Sequence, residues 1–139
     1  MDGLLVLTLH TWCSWCIAMD ALDQSGVRGL QERFTKTILE RMAGIDFPLE
    51  RIYSMTVSGK PKAGVLKMLQ EEHPGFTPHF VEDKLSTLQK VEKDGALENY
   101  SLYLVDWGYN TEPEKQYARD SSRIELIGME RFGELMTAV

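Results

Sequence analysis

Two groups of residues in this 139-residue chain have side chains and spacings suited to chemistry. The first is Cys13 and Cys16 in HTWCSWC, behind the apolar run LLVLTL and ahead of IAMDAL. A strand, a Trp and a Cys-x-x-Cys opening a helix make a dithiol redox site, because a helix N-terminus favours the thiolate of the first cysteine, here Cys13. The same pair supplies half of a zinc site, but only His10 lies close, while His73 and His79 are far along the chain. Two ordinary buried thiols, with Trp12 and Trp15 as packing residues, are the simplest alternative. The hairpin strands that complete a thioredoxin fold do not follow, so this stretch does not by itself set the function.

The second group lies where strand-like runs end. PHFV ends in Glu82 and Asp83, SLYLV in the stretch Asp106 to Thr111, and ERIYSMTV in Ser58 to Lys62. Two adjacent carboxylates are hard oxygen donors suited to Mg²⁺. A lysine at a helix start adds positive charge beside the positive end of the helix dipole. Together they describe a place for a phosphate with a magnesium ion. The competing account is plain: Asp83 caps the helix KLSTLQKVEK, and Lys62 is a solvated lysine.

The elements that must position these residues alternate. QERFTKTILERMA carries Phe34, Ile38, Leu39 and Met42 at helical spacing, and Gly44 stops it. ERIYSMTVSG has the content of a short strand. KPKAGVLKMLQEEH reads as a helix with Pro61 in its first turn and Pro74-Gly75 at its end. PHFVED is a strand, KLSTLQKVEK a helix with Leu85, Leu88 and Val91 on one side, and SLYLVD a strand buried on both faces. EPEKQYARD, RIELIG and MERFGELMTAV follow as helix, strand and helix. The pattern predicts an α/β domain with a Rossmann-like, mostly parallel sheet and helices on both faces. In such sheets ligands bind at the carboxyl ends of the strands.

Composition sets the outer bounds. With 43% hydrophobic and 26% charged residues the chain is globular in type, and its net charge of −6 argues against nucleic acid, which demands a basic face. Leu4 to Leu9 is too short to span a bilayer, and Met-Asp-Gly before it lacks the positive charge of a signal peptide. Two close cysteines are no disulfide framework. The expectation is an intracellular soluble protein, cytoplasmic or plastid, although MDGLLVLTLH lacks the character of a transit peptide.

From about Gln31 to Phe132 the chain resembles the haloacid dehalogenase-like hydrolases, and most of all their plant and cyanobacterial phosphoglycolate-phosphatase-like members. The carriers are RFTKTILERMAGIDFPLERIY, SGKPKAGVLKMLQEEHPG, HFVEDKLSTLQKV and LYLVDWGYNT, of which the last two are the most specific. The resemblance implies phosphoryl transfer to an aspartate and its hydrolysis, with Mg²⁺ neutralising charge, on a small phosphorylated metabolite. It implies that Lys62, or alternatively Lys60, holds the phosphoryl group, and that Asp83 with Glu82 binds the metal. A second acid expected four residues on is replaced by Thr87. The resemblance further sets Ser58, Gly59, Asp106 and Asn110 at the substrate, with Gly108 allowing a tight turn in the DWGYNT loop.

The pattern breaks at the other end. No Asp-x-Asp occurs anywhere in the sequence, and LLVLTLHTW offers Thr8 and His10 where the nucleophile should stand. Only Ser25 is available for the second motif, and no helical cap is apparent. The chain therefore divides into a divergent segment, residues 1–30, and the C-terminal part of a hydrolase domain, residues 31–139. It keeps the magnesium and lysine half of the site and lacks the nucleophile half, so little or no turnover is expected. The expectation for the sheet is an incomplete core whose missing first strand LLVLTLH fills by pattern. Two alternatives stand beside this reading: a dithiol oxidoreductase using Cys13 and Cys16, and a non-catalytic protein that binds a phosphorylated ligand or a partner.

Overall fold

SLYLV becomes a central strand because four of its five side chains, Leu102 to Val105, are buried, so apolar residues are required on both faces. A computed structural model describes Gly3–Leu7, Thr37, Glu40, Arg41 and residues 62–138. The chain divides into two compact units, Met1–Trp12 with Leu66–Val139, and Cys13–Val65. In the second unit Thr37, Glu40 and Arg41 are helical, within the segment where the spacing predicts a helix.

The first unit holds the sheet. Strand β1 (Gly3–Leu7) is followed by α1 (Lys62–Glu72), which belongs to this unit from Leu66 on, then β2 (Thr77–Glu82), α2 (Leu85–Glu92), a 3-10 turn (Gly95–Leu97), β3 (Ser101–Val105), α3 (Glu112–Asp120), β4 (Ile124–Ile127) and α4 (Met129–Ala138). The four strands lie side by side in chain order, β1-β2-β3-β4, and each pair is parallel. Leu7 pairs with Val81, Val81 with Tyr103 and Tyr103 with Glu125, so one row of residues crosses the whole sheet. LLVL thus fills the slot beside β2.

The sheet is covered on both faces, as the sequence predicts. Right-handed crossovers between strands laid down in order set the connecting helices on one face. Alternation puts Phe80, Leu102, Leu104 and Ile124 together there, all buried. Helix α2 packs against β2 and β3, and α3 against β4. Helix α4 follows the last strand, makes no crossover, and closes the opposite face. Its Phe132 and Leu135 form one buried cluster with Val81, Tyr103, Val105 and Ile127. Leu85, Leu88 and Val91 of α2 are all buried, as their spacing requires. None of the described helices is long and apolar enough to cross a membrane.

One expectation about helix ends is corrected, and one holds. Asp83 does not cap α2: the N-cap residue is Lys84, whose side chain makes no capping bond. Glu82 holds the turn ahead of the helix, its Oε1 accepting from the backbone N–H groups of Asp83 and Lys84 at 3.2 Å each. Helix α1 ends at Glu72, and Gly75 makes the turn into β2 at φ 93°, a region that costs other residues strain.

Two buried tyrosines tie elements together. The Tyr100 hydroxyl, wholly buried ahead of β3, donates to the Leu66 carbonyl of α1 at 2.8 Å. Burial pushes its pKa up to about 12. His79 stacks on Tyr103 with 2.9 Å between Nδ1 and the phenol oxygen. Its pKa is lowered, first by burial and then by the Arg131 charge.

Replacing Tyr100 by Phe should cost about 1 kcal/mol in urea denaturation, the net worth of one hydrogen bond. It should also remove a fall in stability between pH 10 and about 12, because the unfolded tyrosine ionises before the folded one. For His79 the sign is opposite. The unfolded histidine takes up its proton first, so stability should drop as pH falls below 6.5, and His79→Gln should flatten that part of the profile.

Candidate active site at the carboxyl ends of the strands

Parallel strands bring all their carboxyl ends to one edge, and in this sheet that edge holds Glu82 and Asp83 after β2, the 106–111 loop after β3, and Gly128 after β4. Glu82 is 0% exposed and Asp83 4%, which makes them the buried charged residues of the described chain. Buried carboxylates need donors. For Glu82 they include the two N–H groups that begin the turn to α2.

The loop after β3 is held against Asp83 by two devices. One is Gly108. A Cβ there would lie 2.5 Å from Asp83 Cβ and 3.1 Å from Asp83 Cα, so only a residue without a side chain allows the loop to come so close. The sequence points to Gly108 for backbone freedom in a tight turn, and the structure corrects that reason. Gly75 alone among the described glycines has a positive φ, so it is space and not conformation that demands Gly108. The turn itself is closed by the Asn110 N–H, which donates to the Gly108 carbonyl at 2.9 Å.

Asn110 is the second device. Its side-chain Nδ2 donates to the Val105 carbonyl at 2.6 Å and to the Asp83 carbonyl at 3.2 Å. One amide therefore straps the end of β2 to the end of β3. Expected at the substrate, Asn110 spends its donors on the backbone, while its buried Oδ1 accepts no hydrogen bond. The loop ends in a capping box: Glu114 Oε2 accepts from Thr111 N–H at 2.7 Å and from Thr111 Oγ1 at 2.9 Å. Those two bonds hold the Glu114 carboxyl below the usual range.

Asp106 faces the other neighbour. Its N–H donates to the Ile127 carbonyl at 3.0 Å, and its Oδ2 lies 3.4 Å from where a Gly128 side chain would begin. Asp83, Gly108 and Asn110 thus form one compact group, with Asp106 beside it over the β4–α4 turn. Lys62 is the first residue of α1, where its charge adds to the positive end of that helix. Ser58, Gly59, Lys60, Thr8, His10, Ser25, Cys13 and Cys16 lie outside the described residues.

The donor set suits magnesium in kind. Mg²⁺ is bound through one or two carboxylates, with waters and substrate phosphate completing its shell. Asp83 and Glu82 carry donors of that kind, although no group of three acid, histidine or cysteine side chains converges among the described residues. The sequence marks out the stretch Asp106 to Thr111 but assigns no role of their own to Trp107 and Tyr109, which flank Gly108 in it. Their exposure is a tertiary property, since the letters W and Y read equally well as core. Trp107 packs edge-on against Phe132 of α4, with ring centres 5.7 Å apart.

No family model matches this chain, and neither the curated proteins nor the solved structures contain a match. The site therefore has to be argued from its own geometry.

Gly108→Ala should lower thermal stability by about 1–3 kcal/mol, the usual cost of forcing a methyl group into filled space. The check is a melting curve beside Gly133→Ala, where an added Cβ meets nothing within 4 Å. The control should sit well above the Gly108 variant.

Proposed function

We propose that the chain is a haloacid dehalogenase-like hydrolase of the magnesium-dependent phosphatase type, directed at a small phosphorylated metabolite, in a form that turns over weakly or not at all. The observation that carries the reading is the β1–β2 pairing. β1 runs parallel to β2 with Leu7 level with Val81, so β1 ends at the same edge of the sheet as the strand that leads to Asp83. That is where a phosphatase of this architecture needs its nucleophile strand. The carboxylate pair and the strapped loop then lie on the same edge, as ligand sites in parallel sheets do.

Within this reading Asp83, aided by Glu82, would hold Mg²⁺, and the ion would neutralise phosphate charge when bound. Gly108 and Asn110 hold the loop against Asp83. Lys62, with Lys60 as the alternative, would balance the charge of the phosphoryl group. Nucleophilic attack has no candidate of the usual kind: the sequence contains no Asp-x-Asp, and a threonine such as Thr8 is a weak nucleophile without an adjacent base. Binding without efficient turnover is the consequence. A cytoplasmic or plastid setting goes with the family reading.

The test is hydrolysis of p-nitrophenyl phosphate and calorimetric binding of inorganic phosphate, each with Mg²⁺ and with EDTA. We expect no turnover above the EDTA control, and magnesium-dependent phosphate binding that Asp83→Asn weakens about tenfold, equivalent to about 1.4 kcal/mol. Magnesium-dependent turnover lost in the variant would keep the family and disprove the inactive form. A folded sample that neither binds nor turns over would sink the reading and move attention to the thiols of Cys13 and Cys16.

A further inference from the structure

The carboxyl edge carries a feature that phosphate chemistry does not use. Among the described residues five large hydrophobic side chains are exposed, and three of them follow the carboxyl ends of strands: Trp107 at 37% and Tyr109 at 69% on the loop after β3, and Met129 at 66% at the start of α4. The other two, Phe76 and Tyr117, stand ahead of β2 and on α3. Exposed rings are unremarkable when scattered singly, and informative when they gather at a ligand-binding edge.

The loop that carries the two rings is held, and so is the Trp107 ring. The two rings flank Gly108, whose backbone is pressed against Asp83. Asn110 fastens the loop to two strand ends, and Phe132 meets the Trp107 ring edge-on. A loop strapped against Asp83 and carrying two exposed rings can stack a flat group without having to order its backbone first. A sugar or a short acid would leave those faces in contact with water.

We propose that Trp107 and Tyr109 determine substrate class: they take the planar aromatic ring of a phosphorylated ligand, such as the base of a nucleoside monophosphate, while its phosphate lies at Asp83. This deepens the phosphatase reading and rests on it for the phosphate end alone. Stacking on an aromatic face tolerates any base, so the proposal concerns a planar ring and not one particular base.

Calorimetry on the full chain with MgCl₂ tests it, using adenosine 5′-monophosphate, ribose 5-phosphate and adenosine as probes. Tyr109→Leu removes the ring and keeps bulk, and Tyr109→Phe keeps the ring; at 69% exposure neither change should disturb folding. We expect the monophosphate to bind at least tenfold tighter than ribose 5-phosphate. Tyr109→Leu should lose most of that difference and Tyr109→Phe should retain it. Equal affinity for the two phosphates, both weakened by Asp83→Asn, would overturn the ring proposal and leave the phosphatase reading standing. Adenosine binding as tightly as its monophosphate, with Asp83→Asn without effect, would support the ring surface and remove the phosphate reading. Absence of binding by all three probes would overturn both.

Discussion

Parallel pairing of β2 with β3 is the constraint from which the rest of the molecule follows. Parallel strands cannot be joined by a tight turn, so each connection must travel back along the sheet, and a helix is the economical way to do so. The strands must then be apolar on both faces, which is why LYLV and FVE are buried at every position. It also follows that every carboxyl end arrives at one edge. The acids after β2, the loop after β3 and the glycine after β4 become neighbours because the strands all point the same way.

At that edge the packing is set by backbone atoms more than by side chains. Glu82 turns back onto two N–H groups, Asn110 joins two carbonyls, and Gly108 yields its side chain so that loop and strand can touch. The hydrogen bonds of Glu82 and Asn110 satisfy backbone polarity left open where the strand ladder ends. The result is a rigid floor with carboxylates in it and aromatic rings on its rim. Rigidity of this kind suits binding, because the cost of ordering the site is met by folding and not by the ligand.

The two faces of the sheet are closed in different ways, and the difference matters for the site. One face is covered by connecting helices, whose order is dictated by chain handedness. The other depends on α4, which reaches back with Phe132 and Leu135 onto Val81, Tyr103, Val105 and Ile127. Phe132 serves twice, packing in this cluster and steadying the Trp107 ring. The C-terminal helix therefore couples the core to the rim of the candidate site.

The sequence by itself determined the alternation of elements, the parallel sheet and the edge at which to look. Periodicity and stop signals are local, and the runs PHFV, SLYLV and RIELI have no other good use than buried strands. It also singled out Asp83, Glu82, Gly108 and Asn110, because polar residues and glycines right after buried strands stand out by contrast. Their roles were another matter. That Glu82 holds the turn ahead of α2, that Gly108 is required by Asp83, far back in the chain, rather than by its own φ, and that Asn110 straps β2 to β3 all depend on which strand lies beside which. So does the exposure of Trp107 and Tyr109, since a ring's burial is decided by what packs over it. Contacts between residues distant in the chain have no local signature, and only the tertiary structure could decide them.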